Sequence, residues 1–196
     1  MILGIVGGIG AGKSTVVQIM KELANIFVID VDKIGHAILA KDALAYNEII
    51  EEFGDKILDD EKNIIRKILG EIVFNDPIKL LKLNQISHPK IYMEVERILK
   101  SIDMKKYKYI VIDCALLFEI GLDHLVDKII GVYASEQVRA ARIMKRNNIS
   151  YENALVRIRK QKSWQELQSR INYFINNDGN DENLQKNIKD ILEVIL

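Results

Sequence analysis

The octapeptide Gly7-Gly8-Ile9-Gly10-Ala11-Gly12-Lys13-Ser14 fits the pattern G-x-x-x-x-G-K-[ST] at every required position. Its flanks constrain the fold further. Ile2-Leu3-Gly4-Ile5-Val6 reads as a short buried strand, and Thr15 to Leu23 reads as a helix that starts straight after the loop. Strand, glycine loop and helix together make a P-loop. Its glycines let successive backbone N–H groups face one anion, and the positive end of the following helix adds to that field. Gly8, Gly10, Ala11, Gly12 and Thr15 supply this backbone. Lys13 adds a mobile charge for the β- and γ-phosphates of a nucleotide, and Ser14 offers a hydroxyl to Mg²⁺.

Further apolar, β-branched runs occur at Ile26–Ile29, Tyr109–Ile112, Lys128–Tyr133 and Tyr173–Ile175, separated mostly by helix-period segments. That alternation predicts an α/β chain with a central parallel sheet of about five strands covered by helices on both faces, the three-layer P-loop fold. The gap between the second and third runs is far longer than one crossover needs. It carries helical patterns at Leu44–Phe53, Ile64–Phe74, Ile78–Ile86 and Ile91–Ile102, so it is expected to be a helical, substrate-binding insertion. Val138 to Asn172 gives two or three more helices, rich in arginine and lysine, and a last helix, Asn183 to Ile195, presents Leu184, Ile188, Ile191, Leu192 and Ile195 for packing. The expected division is a core of about 1–32, 105–134 and 172–196, an insertion of about 33–104 and a helical lid of about 135–171, all in one 196-residue chain.

Lys plus Arg and Asp plus Glu both number 28, so the net charge is +0, which argues against nucleic acid as a partner. Cys114 is alone and sits beside an apolar run, so a buried thiol in a reducing compartment, the cytoplasm, is expected. The apolar start lacks a basic segment and runs into the P-loop, which suits a core strand better than a signal peptide, and no stretch is long enough to cross a bilayer. A monomer or small homo-oligomer is expected.

Three aspartates close strand runs. Ile29-Asp30-Val31-Asp32 falls at a carboxyl edge, where side chains face the ligand crevice of a parallel sheet. Asp32 suits a group that orients or deprotonates an acceptor hydroxyl. Asp30 suits either a helix cap or a Mg²⁺ shell, and Asp113 suits either a Walker-B aspartate near Mg²⁺ or a structural role. Arg139, Arg142 and Arg146 share one helical face, with Arg157, Arg159, Lys160 and Lys162 following. They read as a lid over phosphates, a nucleic-acid footprint or a solvated face, and the P-loop favours the lid, above all for Arg142 and Arg146.

The P-loop, Asp30-Val31-Asp32, Ser87-His88-Pro89, Leu116-Leu117-Phe118-Glu119, then Arg142, Arg146, Gln161 and Ile175-Asn176-Asn177-Asp178-Gly179 form an ordered set that resembles the signatures of the dephospho-CoA kinases over nearly the whole chain. The resemblance implies ATP and dephospho-CoA as partners, Mg²⁺ as cofactor, and phosphorylation of the ribose 3′-hydroxyl to give coenzyme A. It further implies that Asp32 is the catalytic base, Lys13 and Arg142 act on the phosphates, Asn177 lies near adenine, and Asp32, His36 and His88 meet the CoA substrate. His36 stands where many relatives carry arginine, and Ala115 where proline usually precedes Leu-Leu-Phe-Glu. From the residues alone, His88-Pro89 reads instead as a helix start. Two rivals share parts of the pattern: another small-molecule P-loop kinase, and a GTP-dependent switch, for which the Asn-Lys-x-Asp tetrad is missing.

Overall fold

The computed structural model describes residues 1–74, 76–179 and 181–195; Asn75, Asn180 and Leu196, which fall in the expected insertion and final core segment, lie outside the described residues. In chain order the elements are β1 (Ile2–Val6), α1 (Lys13–Leu23), β2 (Ile26–Asp30), α2 (Val31–Ala37), α3 (Tyr46–Phe53), α4 (Arg66–Phe74), α5 (Pro77–Ser101), β3 (Tyr109–Asp113), α6 (Leu117–Ile120), β4 (Lys128–Tyr133), α7 (Glu136–Asn147), α8 (Tyr151–Arg159), α9 (Trp164–Gln168), β5 (Tyr173–Asn176) and α10 (Asp181–Val194). The strands form one sheet in the order β2-β3-β1-β4-β5. β1 pairs in parallel with β3 and with β4, and β4 pairs in parallel with β5. Every apolar run expected to be a strand is one. Three of them continue one residue further, to Asp30, Asp113 and Asn176, because the ladder bonds backbone groups and tolerates a polar side chain at a strand's end.

Contacts divide the chain into two compact units. One comprises Met1–Ile29, Asp103–Phe118 and Leu122–Leu196. Its core joins Leu3 and Ile5 of β1 to Val16 and Met20 of α1, Val111 of β3, Ile130 and Val132 of β4, and Leu184, Ile188 and Leu192 of α10. The expected stripe on α10 is therefore the stripe that packs. Truncating a fully buried isoleucine such as Ile188 to alanine should cost about 2–5 kcal/mol. Cys114 is buried, as its apolar neighbours indicated. A smaller cluster fastens α7 to α8 through Ala140, Ile143, Ala154 and Ile158, and Ile9 of the glycine loop packs against it.

The other unit comprises Asp30–Ile102 and Glu119–Gly121. Its spine is α5, 25 residues long, which packs against α2, α3 and α4. The sequence pattern suggested two helices parted near His88-Pro89. Instead Pro89 lies inside one continuous helix, and His88-Pro89 is not a helix start. The start signal is Asp76-Pro77: the Asp76 carboxylate accepts the N–H groups of Ile78 and Lys79 at 3.0 and 3.1 Å, and Pro77 occupies the first turn. Mid-helix proline removes one hydrogen bond and crowds the preceding turn, at about 3 kcal/mol. Around it, Ser87 Oγ donates to Leu83 O at 2.8 Å and Lys90 Nζ to Ile86 O at 3.2 Å. Burial of Ile91 and Val95 on the following turns keeps the second half helical.

Candidate active site

The glycine loop is built from its carbonyl side. Arg139, on α7, donates from Nε to Ile9 O at 2.9 Å. Arg142, one turn on, donates from Nη1 to both Gly10 O and Ala11 O at 3.3 Å. Its Nη2 donates to Asn177 O at 2.9 Å, and Asn177 Nδ2 donates to Ala11 O at 2.8 Å. Three consecutive carbonyls are thus drawn toward α7 and the end of β5. A peptide whose C=O is held on one side presents the N–H of the next residue on the other, so the N–H groups of Gly10 and Gly12 are aimed away from these anchors. Ala11 N–H closes the loop's own turn on Gly8 O at 3.0 Å. Burial pushes the Arg139 guanidinium below its ordinary range, opposed by the charge of Glu136 and by Tyr133, while Asn177 is a buried polar residue at 4% exposure.

Gly12 sits just before α1 with φ 93°, a left-handed conformation that a side chain strains. Helix α1 starts at Lys13 and carries neither a capping side chain nor an acid in its first turn. Its positive end therefore keeps its field for an external anion. Lys13 is half-buried at this end, with Ser14 and Thr15 exposed beside it.

Asp113 ends β3 opposite Ile5 of β1, the strand that leads into the loop, and Cys114 N–H donates to Ile5 O at 3.1 Å. No three His, Cys, Asp or Glu side chains converge among the described residues. Mg²⁺ fits such a site, because it takes one or two protein oxygens and completes its octahedron with phosphate and water. Ser14 and Asp113 are oxygen donors of that kind within one unit. Asp30 does what its capping alternative required: Oδ1 accepts Lys33 N–H at 3.1 Å as the cap of α2, and Oδ2 pairs with Lys33 Nζ at 3.4 Å.

The expected acceptor residues all belong to the second unit. Asp32 is the second residue of α2 and is exposed, at a helix end that favours a carboxylate. His36, in the last turn of α2, accepts at Nε2 from Arg66 Nη2 at the start of α4. His88, within α5, is half-buried. Burial pushes its imidazole below its ordinary value of 6.5, against the opposing effects of the Glu119 carbonyl and charge. Arg142 and Asn177, 35 residues apart, meet directly. Arg146 does not join them; it stays exposed, bonding Asn147 Oδ1 at 3.0 Å. Arg66 was not singled out in the sequence, because a lone arginine in a helical stretch has no spacing that marks it.

A glycine loop opening a helix beside a parallel sheet, with its carbonyls tied back and its helix end uncapped, defines a P-loop phosphate-binding protein. The family model described as "Dephospho-CoA kinase" matches residues 1–183, and the chain belongs to that family. It is 40% identical to a dephospho-CoA kinase of Carboxydothermus hydrogenoformans over 98% of this chain and 93% of that one. Among solved structures, dephospho-CoA kinase from Campylobacter jejuni superposes with a TM-score of 0.71 and 31% identity, covering 99% of this chain and 96% of its own. A crystal structure from Thermus thermophilus superposes with a TM-score of 0.80 and 27% identity, covering 100% and 98%.

Proposed function

We propose that this protein transfers the γ-phosphoryl group of ATP to the ribose 3′-hydroxyl of dephospho-CoA, releasing ADP and coenzyme A. The observation that carries the reading is the tied-back glycine loop in a chain that matches the family across residues 1–183. Lys13 and the N–H groups around Gly8, Gly10 and Gly12 hold the β- and γ-phosphates. Asp32 accepts or orients the proton of the hydroxyl as the new O–P bond forms and the bond to the β-phosphate oxygen breaks. Arg142, fixed on the loop's carbonyls, adds a permanent positive charge to the phosphate loop, and Asn177, which bonds both Arg142 and Ala11 O, lies near adenine.

Mg²⁺, the expected cofactor, neutralises charge on the phosphates when bound, held by Ser14 and Asp113. Asp30 is the other candidate, with Oδ1 capping α2 and Oδ2 paired with Lys33 Nζ. His36 with Arg66, and His88, meet the CoA moiety from the 33–104 insertion. Residues 135–171 act as the lid that excludes water, fastened at its root by Arg139 and Arg142. The cytoplasm, where a lone buried cysteine stays reduced, is the compartment that suits the protein, as a monomer or small homo-oligomer. Asp32→Asn tests the mechanism: it should lose turnover while still binding ATP, and undiminished turnover would remove Asp32 from the chemistry.

A further inference from the structure

Ile9 stands at a P-loop position where the motif asks for no particular residue, yet it is held in three ways. Its carbonyl accepts from Arg139 Nε at 2.9 Å. Its N–H donates to Gln161 Oε1 at 2.6 Å, and that same oxygen accepts from Arg139 Nη2 at 3.3 Å. Its side chain packs against the α7–α8 cluster. Arg139 and Gln161 therefore close a ring around one residue, joining the front of α7 to the segment that follows α8. Gly8 leaves room for this ring: a Cβ there would lie 2.7 Å from Arg139 Cζ.

We infer that Arg139 and Gln161 are positioning residues for the ATP site, acting through the Ile9 peptide rather than by touching the transferred group. The inference rests on the nucleotide reading given above. A glycine-rich loop samples many peptide orientations, and an anion cradle works only when N–H groups are fixed before the anion arrives. The anchors at Gly10 and Ala11 fix the downstream half of the loop. The Ile9 anchors fix the upstream half, where Gly7 and Gly8 otherwise allow rotation. The Arg139 cation suits this task because two donors of one rigid fork reach the loop carbonyl and the amide that holds the neighbouring N–H. The Gln161 carbonyl suits it because a neutral acceptor adds no charge that would repel a polyphosphate.

The link also connects the lid sequence to nucleotide affinity: displacing the segment after α8 withdraws Gln161 and frees the Ile9 N–H. A mere strut between helices would support folding without selecting one substrate. A positioning pair loses ATP affinity first.

The test compares Gln161→Leu, Arg139→Met and the double variant in the full-length protein. Mg-ATP binding is measured by calorimetry, KM for ATP and for dephospho-CoA by steady-state kinetics, and Tm by melting. Gln161→Leu keeps the volume but leaves the part-buried Ile9 N–H without its acceptor, so affinity for ATP should fall about 10-fold, with KM for dephospho-CoA changed by less than about 2-fold. The double variant should be no more than about 3-fold worse than the weaker single, since both changes release the same peptide. Wild-type ATP affinity in Gln161→Leu, equal losses for both substrates, or additive losses in the double variant would overturn the inference. A lower Tm with unchanged ATP affinity would do so as well. Calorimetry needs no acceptor, so a wild-type protein that binds ATP but leaves dephospho-CoA untouched would overturn the functional reading while this comparison still decides the role of Gln161.

Discussion

In the proposed reaction the two substrates would be met by differently built regions. On the nucleotide side the groups proposed to recognise phosphate are backbone, and Arg139, Arg142, Gln161 and Asn177 reach the loop from more than a hundred residues away to hold it. On the acceptor side the expected groups are side chains, Asp32 and His36 on the short α2 and His88 on the long, continuous α5. A backbone site is specified by what its glycines permit and what ties its carbonyls back, so it tolerates little change at those anchors. A side-chain site is specified residue by residue, so its losses should be confined to one substrate or one step.

The largest expected effect sharpens this contrast. Lys13→Ala removes the charge at the phosphates and should lower kcat/KM for ATP by about 10³-fold or more, measured by coupled ADP release. Unchanged values would take the loop out of the mechanism. Next, Asp32→Asn should lower kcat by about 10²–10⁴-fold with ATP affinity by calorimetry within about 3-fold of wild type, the split a side-chain group predicts. A parallel loss of ATP binding would break the comparison.

Smaller still, Arg66→Ala should raise KM for dephospho-CoA by about 10-fold, with KM for ATP unmoved, because it removes the partner of His36. The smallest effect concerns pH. His88 has a lowered pKa when folded, so in the window between that value and 6.5 the unfolded chain binds more protons than the folded one. Stability should then fall as pH drops below about 6.5, and His88→Gln should flatten that part of a melting-temperature profile. An identical slope in the variant would assign the acid sensitivity to other groups.

The nucleotide half of the molecule was largely legible in the sequence. Five apolar runs announced five strands, and the glycine spacing announced the loop, because burial and backbone freedom leave local marks. What holds the loop was less legible. Arg139 and Arg142 stood out as an arginine face, but nothing local to them tells that their guanidinium groups bond the carbonyls of Ile9, Gly10 and Ala11. Asp30 could be a cap or a metal ligand by sequence, and the capping bonds to Lys33 appear only with coordinates. The two helices expected around Pro89 are one, since the burial of Ile91 and Val95 on the following turns outweighs a local breaker. The pairing of His36 with Arg66 links residues 30 apart and had no sequence mark at all.

The central claim is transfer of phosphate from ATP to dephospho-CoA, and one assay meets it directly. Purified protein with Mg-ATP is given dephospho-CoA, AMP or no acceptor, and ADP release is followed together with mass detection of the product. The account predicts coenzyme A and stoichiometric ADP with dephospho-CoA alone; turnover on AMP, or ATP binding without any coenzyme A formed, would contradict it.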